Sequence, residues 1–124
     1  MNDEFKLVVA GGRDFSDKEL CREKIHELKH TLSNYKLSIV SGMARGADRL
    51  AWEIAKEDGI QIYEYPANWD MYGPSAGYRR NEVMARNSNG LLAFLHINPS
   101  KGTSHMIKTM QGLGKPVRII RYGE

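Results

Sequence analysis

Twice in this chain a short apolar run breaks into glycine beside an arginine and gives way to a helical pattern. Leu7-Val8-Val9-Ala10 ends in Gly11-Gly12-Arg13, and Leu37-Ser38-Ile39-Val40 ends in Ser41-Gly42-Met43-Ala44-Arg45-Gly46-Ala47-Asp48. A glycine just beyond a buried strand lets backbone N–H groups approach an anion with no Cβ in the way. The helix that follows adds the positive end of its dipole. A sheet edge built in this way is suited to a phosphate.

The rest of the pattern fits one α/β unit. Phe5 to Ala10 reads as a first strand, and Asp17 to Leu32 carries Cys21, Ile25, Leu28 and Leu32 at helical spacing behind a Ser16 or Asp17 cap. A second strand spans Leu37 to Ser41. Ala47, Leu50, Ala51, Ile54 and Ala55 then mark a one-faced helix that stops near Gly59. Ile60 to Tyr65 and Gly90 to Leu95 read as further strands. Met106, Ile107, Met110 and Leu113 mark a helix closed by Gly114 and Pro116, and Val117 to Ile120 is the last strand. Such alternation predicts a Rossmann-like three-layer sandwich, with a mostly parallel sheet of about five strands and helices on both faces, over a single domain 1–124.

Composition narrows the classes further. With 41% apolar residues in 124, there is material for one core and not two. No apolar run approaches about 18 residues and no export signal opens the chain, so the expectation is a cytoplasmic protein without a membrane partner. Eighteen basic against fifteen acidic residues give a net charge of +3, which suits a small anion better than a nucleic-acid tract. The single Cys21 excludes an internal disulfide and falls on the apolar side of its helix.

Ligands of such sheets sit beyond the carboxyl ends of the strands, where strand order reverses. That rule gathers Gly11, Gly12 and Arg13 from the first strand and Ser41, Gly42, Arg45, Gly46 and Asp48 from the second. The fourth leads through Asn98-Pro99-Ser100-Lys101 to Gly102 and Thr103 at a helix start. The familiar phosphate motifs are absent: the three-glycine dinucleotide pattern is not met, and Lys101 stands on the wrong side of Gly102 for a P-loop. ATP hydrolysis is therefore not the natural reading, and neither a resident cofactor nor a metal is called for.

Between the third and fourth strands, Tyr65 to Gly77 reads as a long loop with three aromatics and two prolines. Trp69 or Tyr72 is suited to stacking on a purine or a sugar face; alternatively, Trp69 plugs the loop against the domain or a second subunit. Gly77-Tyr78-Arg79-Arg80-Asn81-Glu82 reads as a helix start from which Arg80, rather than Arg79, reaches the phosphate rim, with Asn81 beside it.

Acid–base candidates are few. Asp48 sits in a first helical turn, where a carboxylate also serves as a dipole partner. Asp14 adjoins Arg13 and is placed to orient it, and Glu82 follows Asn81. His105 and His96 lie near the rim. His26 and His30, a turn apart on the first helix, lack a third ligand for zinc.

The segments Val9-Ala10-Gly11-Gly12-Arg13-Asp14-Phe15, Val40 to Asp48, Tyr65-Pro66-Ala67-Asn68-Trp69, Ala76 to Asn81 and Ser100-Lys101-Gly102-Thr103 together resemble the small SLOG domains of the YspA type, common in bacteria and phages. The resemblance covers nearly the whole chain. It implies a Rossmann-like sheet that binds a nucleotide or nucleotide-derived ligand at its strand ends, with Gly12, Arg13, Ser41, Gly42, Arg80, Asn81, Gly102 and Thr103 lining the pocket. The wider superfamily includes the DNA-processing protein of transformation, lysine-decarboxylase-like phosphoribohydrolases and sensors of ADP-ribose-derived signals. The phosphoribohydrolases carry a richer glycine turn ending in threonine, then two residues, then a carboxylate. Here Met106 takes that place and can shuttle no proton.

Three functions remain in order. The first is binding of a nucleotide or ADP-ribose-like ligand, as sensor or sequestering protein. The second is hydrolysis of a nucleoside phosphate or nucleotide sugar, with Asp14, Asp48 or Glu82 as the acid–base group. The third is binding of single-stranded DNA, for which the mixed charge of the first helix advertises no basic groove. Relatives of this size often pair, so a homodimer or higher homo-oligomer is expected.

Overall fold

Alternation along β1 (Asp3–Gly11) sends Leu7 and Val9 to one face of the sheet and Val8 and Ala10 to the other, and all four are buried. That two-sided burial requires cover above and below. The computed structural model, which describes residues 3–123, supplies it with α1 (Lys18–Thr31) and α2 (Ala47–Asp58) on one face and α4 (Ala76–Arg86) and α5 (Lys101–Gly112) on the other. The remaining strands are β2 (Tyr35–Ser41), β3 (Gln61–Glu64), β4 (Gly90–His96) and β5 (Val117–Tyr122). All neighbours pair in parallel in the order β3-β2-β1-β4-β5.

Each face has its own core. Leu7, Val9, Ile39 and Phe94 meet Cys21 and Ile25 of α1 and Ala51 and Ile54 of α2. Val8, Val40, Leu91 and Ala93 meet Met84 of α4 and Met106 and Met110 of α5. The small residues Ala47, Ala51 and Ala55 are fully enclosed and let α2 lie close to the sheet. Cys21 is completely buried and its thiol is pushed up to about 12 by loss of solvent, which makes it core filler and not a nucleophile.

Strand lengths differ from the sequence expectation because ladders extend in pairs. β1 and β2 each begin two residues earlier than expected, where Asp3 pairs with Tyr35 and Glu4 with Lys36. β5 runs on to Tyr122 because β4 reaches His96, its partner in register. Helix ends follow local chemistry: Asp17 accepts the Leu20 N–H at 3.0 Å to cap α1, and Gly59 closes α2 in the left-handed conformation.

The larger correction lies between β3 and α4. The stretch expected as a loop contains a one-turn helix, α3 (Trp69–Tyr72), then a 3-10 turn (Gly73–Ser75) that runs directly into α4. Asn68 accepts the Met71 N–H at 3.1 Å and Pro74 supplies a preset φ for the turn, so the aromatic residues sit on ordered backbone.

Chain order reverses at β1, with β2 on one side and β4 on the other. The carboxyl ends of β1 and β4 therefore diverge into loops on opposite faces of the sheet and leave a crevice between them.

Candidate functional site

That crevice holds a cavity of about 590 Å³, within the usual size of a small-molecule site. Its walls come from four places. The β1 end contributes Gly11, Gly12, Arg13 and Asp14; the α2 approach contributes Ala44 and Asp48; α3 and α4 contribute Trp69, Tyr78, Arg80 and Asn81; and the β4–α5 link contributes His96, Asn98, Ser100, Gly102 and Thr103.

Close backbone approach makes this convergence possible. Gly46 has φ of +86°, and a Cβ there would run into the carbonyl of Gly12 and lie 2.9 Å from Cα of Arg13. The loop before α2 thus rests against the loop after β1. A Cβ on Gly42 would meet Nη1 of Arg80 at 2.7 Å and Oδ2 of Asp48 at 2.8 Å, so glycine keeps the space in which that cation and that carboxylate face each other.

Arg80 is anchored by the backbone. Its Nη1 donates to the carbonyl of Gly42 and, at 3.5 Å, to that of Tyr65, while Nε donates to Oδ1 of Asn81 at 3.1 Å. Asn81 in turn donates to the carbonyl of Gly102 at 3.2 Å and so ties α4 to the start of α5. Its polar atoms are spent on positioning Arg80 and the α5 terminus. Arg79 points away and lies over the Tyr72 ring at 4.6 Å.

Asp48 is 6% exposed on the cavity wall, and burial lifts its carboxyl from 3.8 to about 6, against the pull of Arg80 and of the Ala44 N–H. Of the two carboxylates in the wall, Asp48 and Asp14, it is the one that its surroundings raise. Asp14 also lines the cavity, but the Tyr122 hydroxyl donates to it at 2.6 Å and holds its carboxyl below the usual range. The same contact, together with burial, raises the Tyr122 phenol. Glu82 projects from the exposed side of α4, outside the cavity wall.

At the α5 end, Ser100 caps the helix by accepting the Thr103 N–H at 3.3 Å and donates to the Thr103 hydroxyl at 2.9 Å. The start of α5 therefore borders the crevice, with Ser100, Gly102 and Thr103 in its wall. Met106 lines the wall below them, apolar and 1% exposed.

Other residues singled out in the sequence lie elsewhere. Ser41 is fully buried; its hydroxyl donates to the Asp48 carbonyl at 3.0 Å and accepts the Met43 N–H at 3.1 Å, so it shapes the turn from inside. Gly42 and Arg45 line a smaller adjoining cavity of about 290 Å³, while Gly46 lines neither and Tyr72 sits under Arg79. Trp69 borders both cavities, and its ring packs near Gly77. Tyr78 was not foreseen: it lines the wall and packs on His105 at 4.6 Å. The signal was its place three residues before Asn81, which puts both on one side of α4. His26 instead pairs with Asp58 at 2.8 Å, and among the described residues no group of three potential ligands is placed to hold a metal.

Comparison with known proteins identifies the family and the fold. A family model described as YAcAr, the YspA, cpYpsA-related SLOG family, matches residues 5–72. The chain belongs to the YAcAr family. Gene 61 protein of Mycobacterium phage D29 is 30% identical to this YAcAr domain over 125 residues, covering 96% of this chain and 97% of its own length. The fold recurs in the structural genomics target TM1055, at a TM-score of 0.64 and 23% identity, over 91% of this chain and 72% of that one. It recurs also in DNA processing protein A from Helicobacter pylori, a structure described for its single-stranded DNA binding mode, at a TM-score of 0.66 and 18% identity, over 93% of the YAcAr domain and 64% of that protein. At these identities the likeness is one of fold. Among the described residues no helix is long and apolar enough to cross a membrane.

Proposed function

We propose that the strand-end cavity of this YAcAr domain binds a nucleotide or nucleotide-derived small molecule, as a sensor or sequestering protein. The observation that carries the reading is the make-up of one wall. A backbone-anchored Arg80, the exposed cation of Arg13 and the start of α5 offer donors to phosphate, beside the flat faces of Trp69 and Tyr78. A phosphate suits the donors and a base or sugar suits the rings. Met106 stands where the phosphoribohydrolase pattern has a carboxylate, which favours binding over that cleavage.

Asp48 supports a second reading, hydrolysis of a nucleoside phosphate or nucleotide sugar. A buried carboxyl titrating near 6 on the wall of a nucleotide-sized cavity is matched to proton transfer near neutrality.

Native mass spectrometry of the gently purified protein, with Arg80→Ala as the control, tests both. A stoichiometric adduct of nucleotide mass that is lost in the control is the expected result; intact ligand supports the sensor and cleaved product the hydrolase. An empty protein that also ignores adenine and guanine nucleotides and ADP-ribose would sink the reading. The same spectrum counts the copies in the assembly and so tests the proposed homo-oligomer.

A further inference from the structure

The smaller cavity differs in kind from the larger one. Its volume of about 290 Å³ is at the bottom of the range of about 300–1,000 Å³ for small-molecule pockets, and a phosphate group with its waters fits within it. Every charged side chain on its wall is a guanidinium: Arg13, Arg45 and Arg80. Asp48 lines only the larger cavity. The two spaces share Arg13, Ala44, Trp69 and Arg80 and so adjoin one another.

None of the three arginines is in an ion pair with a carboxylate among the described residues; the ion pairs lie on α1 and α2, between Arg118 of β5 and Glu27, and between His96 and Asp14 in the wall of the larger cavity. Burial lowers the Arg80 guanidinium most; the Asp48 carboxylate opposes that and the like charge of Arg13 adds to it, so one carboxylate is set against the cluster of cations. The turn that carries Arg45 to this place also holds Met43 at φ of +63°, a conformation that costs a non-glycine residue free energy and is retained at ligand clamps. Arg45 itself is exposed, and its side chain makes no hydrogen bond among the described residues, so the domain core makes little use of it.

We infer that the smaller cavity is a second anion subsite, and that the ligand is a nucleoside bearing at least two phosphate groups, the second held by Arg45 and Arg13 on the far side of Arg80. The inference rests on the reading of the larger cavity as a nucleotide site. The Asp48 carboxylate repels a phosphate placed beside it, and the three guanidinia draw the charge to the other side of the partition.

Isothermal titration of the full chain with AMP, ADP, GMP and GDP, in wild type, Arg45→Ala and Arg45→Lys, tests it. The diphosphate should bind about tenfold more tightly than the monophosphate of the same base, the worth of one charge-assisted contact. Arg45→Ala should weaken the diphosphate by about that factor and the monophosphate by less, so that the gap closes. Arg45→Lys should recover part of the gap, since it restores charge without the planar fork. Equal wild-type affinity for mono- and diphosphate, or an Arg45→Ala loss equal for both, overturns the second subsite and leaves the nucleotide reading standing. No binding of any of the four, with or without binding of a short single-stranded oligonucleotide, overturns both.

Discussion

The outer surface of α1 and α2 and the strand-end rim each carry several cations, and they use them in opposite ways. Between the helices, Lys18 pairs with Glu57 at 2.6 Å, Arg22 with Glu57 at 2.7 Å and His26 with Asp58 at 2.8 Å. At the rim, Arg13, Arg45 and Arg80 face cavities, and the carboxylate set among them, Asp48, is lifted by burial to about 6. A modest net charge therefore conceals a local excess of cations. The helix surface is neutralised within the fold, whereas the rim has donors left for a ligand.

The sharpest way to break this comparison is to remove one arginine from each region. Arg80→Ala should weaken the bound nucleotide by about 100-fold, since a partly buried, hydrogen-bonded charge on a ligand is worth about 2–5 kcal/mol. Arg22→Ala should leave affinity unchanged in the same titration. Equal effects would mean that the rim is no more specialised than the helix surface.

Next in size, Gly46→Ala should cost at least about 1–3 kcal/mol in urea unfolding, because it adds a Cβ at positive φ against the carbonyl of Gly12. Gly112→Ala, on α5 with open space around it, serves as the control and should lose nothing.

Asp48→Asn sharpens the electrostatic side. The folded chain keeps a proton on Asp48 at pH values where the unfolded chain, with a value near 3.8, has lost it. Stability contributed by this site therefore falls as pH rises from about 3.8 to about 6 and stays low above that. The asparagine variant should be about 2 kcal/mol more stable than wild type near pH 8, and this gain should vanish near pH 4. Anion binding should also strengthen as wild type is acidified through about 6, a trend the variant reduces to that of the phosphate alone. A variant destabilised at pH 8 would show Asp48 to be held by its contacts more than it is penalised by burial.

The smallest effect belongs to the helix surface. Removing the exposed Lys18 ion pairs with Lys18→Ala should shift the thermal midpoint only slightly, and added salt should shrink the difference further.

Much of the fold was legible because periodicity reports burial directly. The continuous apolar run Leu7 to Ala10 can be buried on both faces only in a covered sheet, and Ala47, Ala51, Ile54 and Ala55 lie along one helix stripe. The helical turns at Trp69–Ser75 escaped because four- and three-residue elements have no period to detect, and their stability comes from the Asn68 cap and Pro74. Ser41 read like a rim residue because a hydroxyl next to glycine in a strand-end turn has the same local pattern whether it faces a ligand or its own backbone.

By itself, then, the amino-acid order determined the alternating strands and helices, the glycine turns at their ends and the supply of arginines, since these follow from local sterics and from which side chains must leave water. Only the tertiary structure decided that Arg80 and Asp48 face each other across Gly42, that Tyr122 holds Asp14, and that Arg45 opens onto a second cavity. Those relations join residues far apart in sequence, and they exist because the parallel ladder brings the ends of β1, β2 and β4 to one edge at a fixed register. Solvent exclusion at that edge then sets which charges are neutralised and which stay open to a ligand.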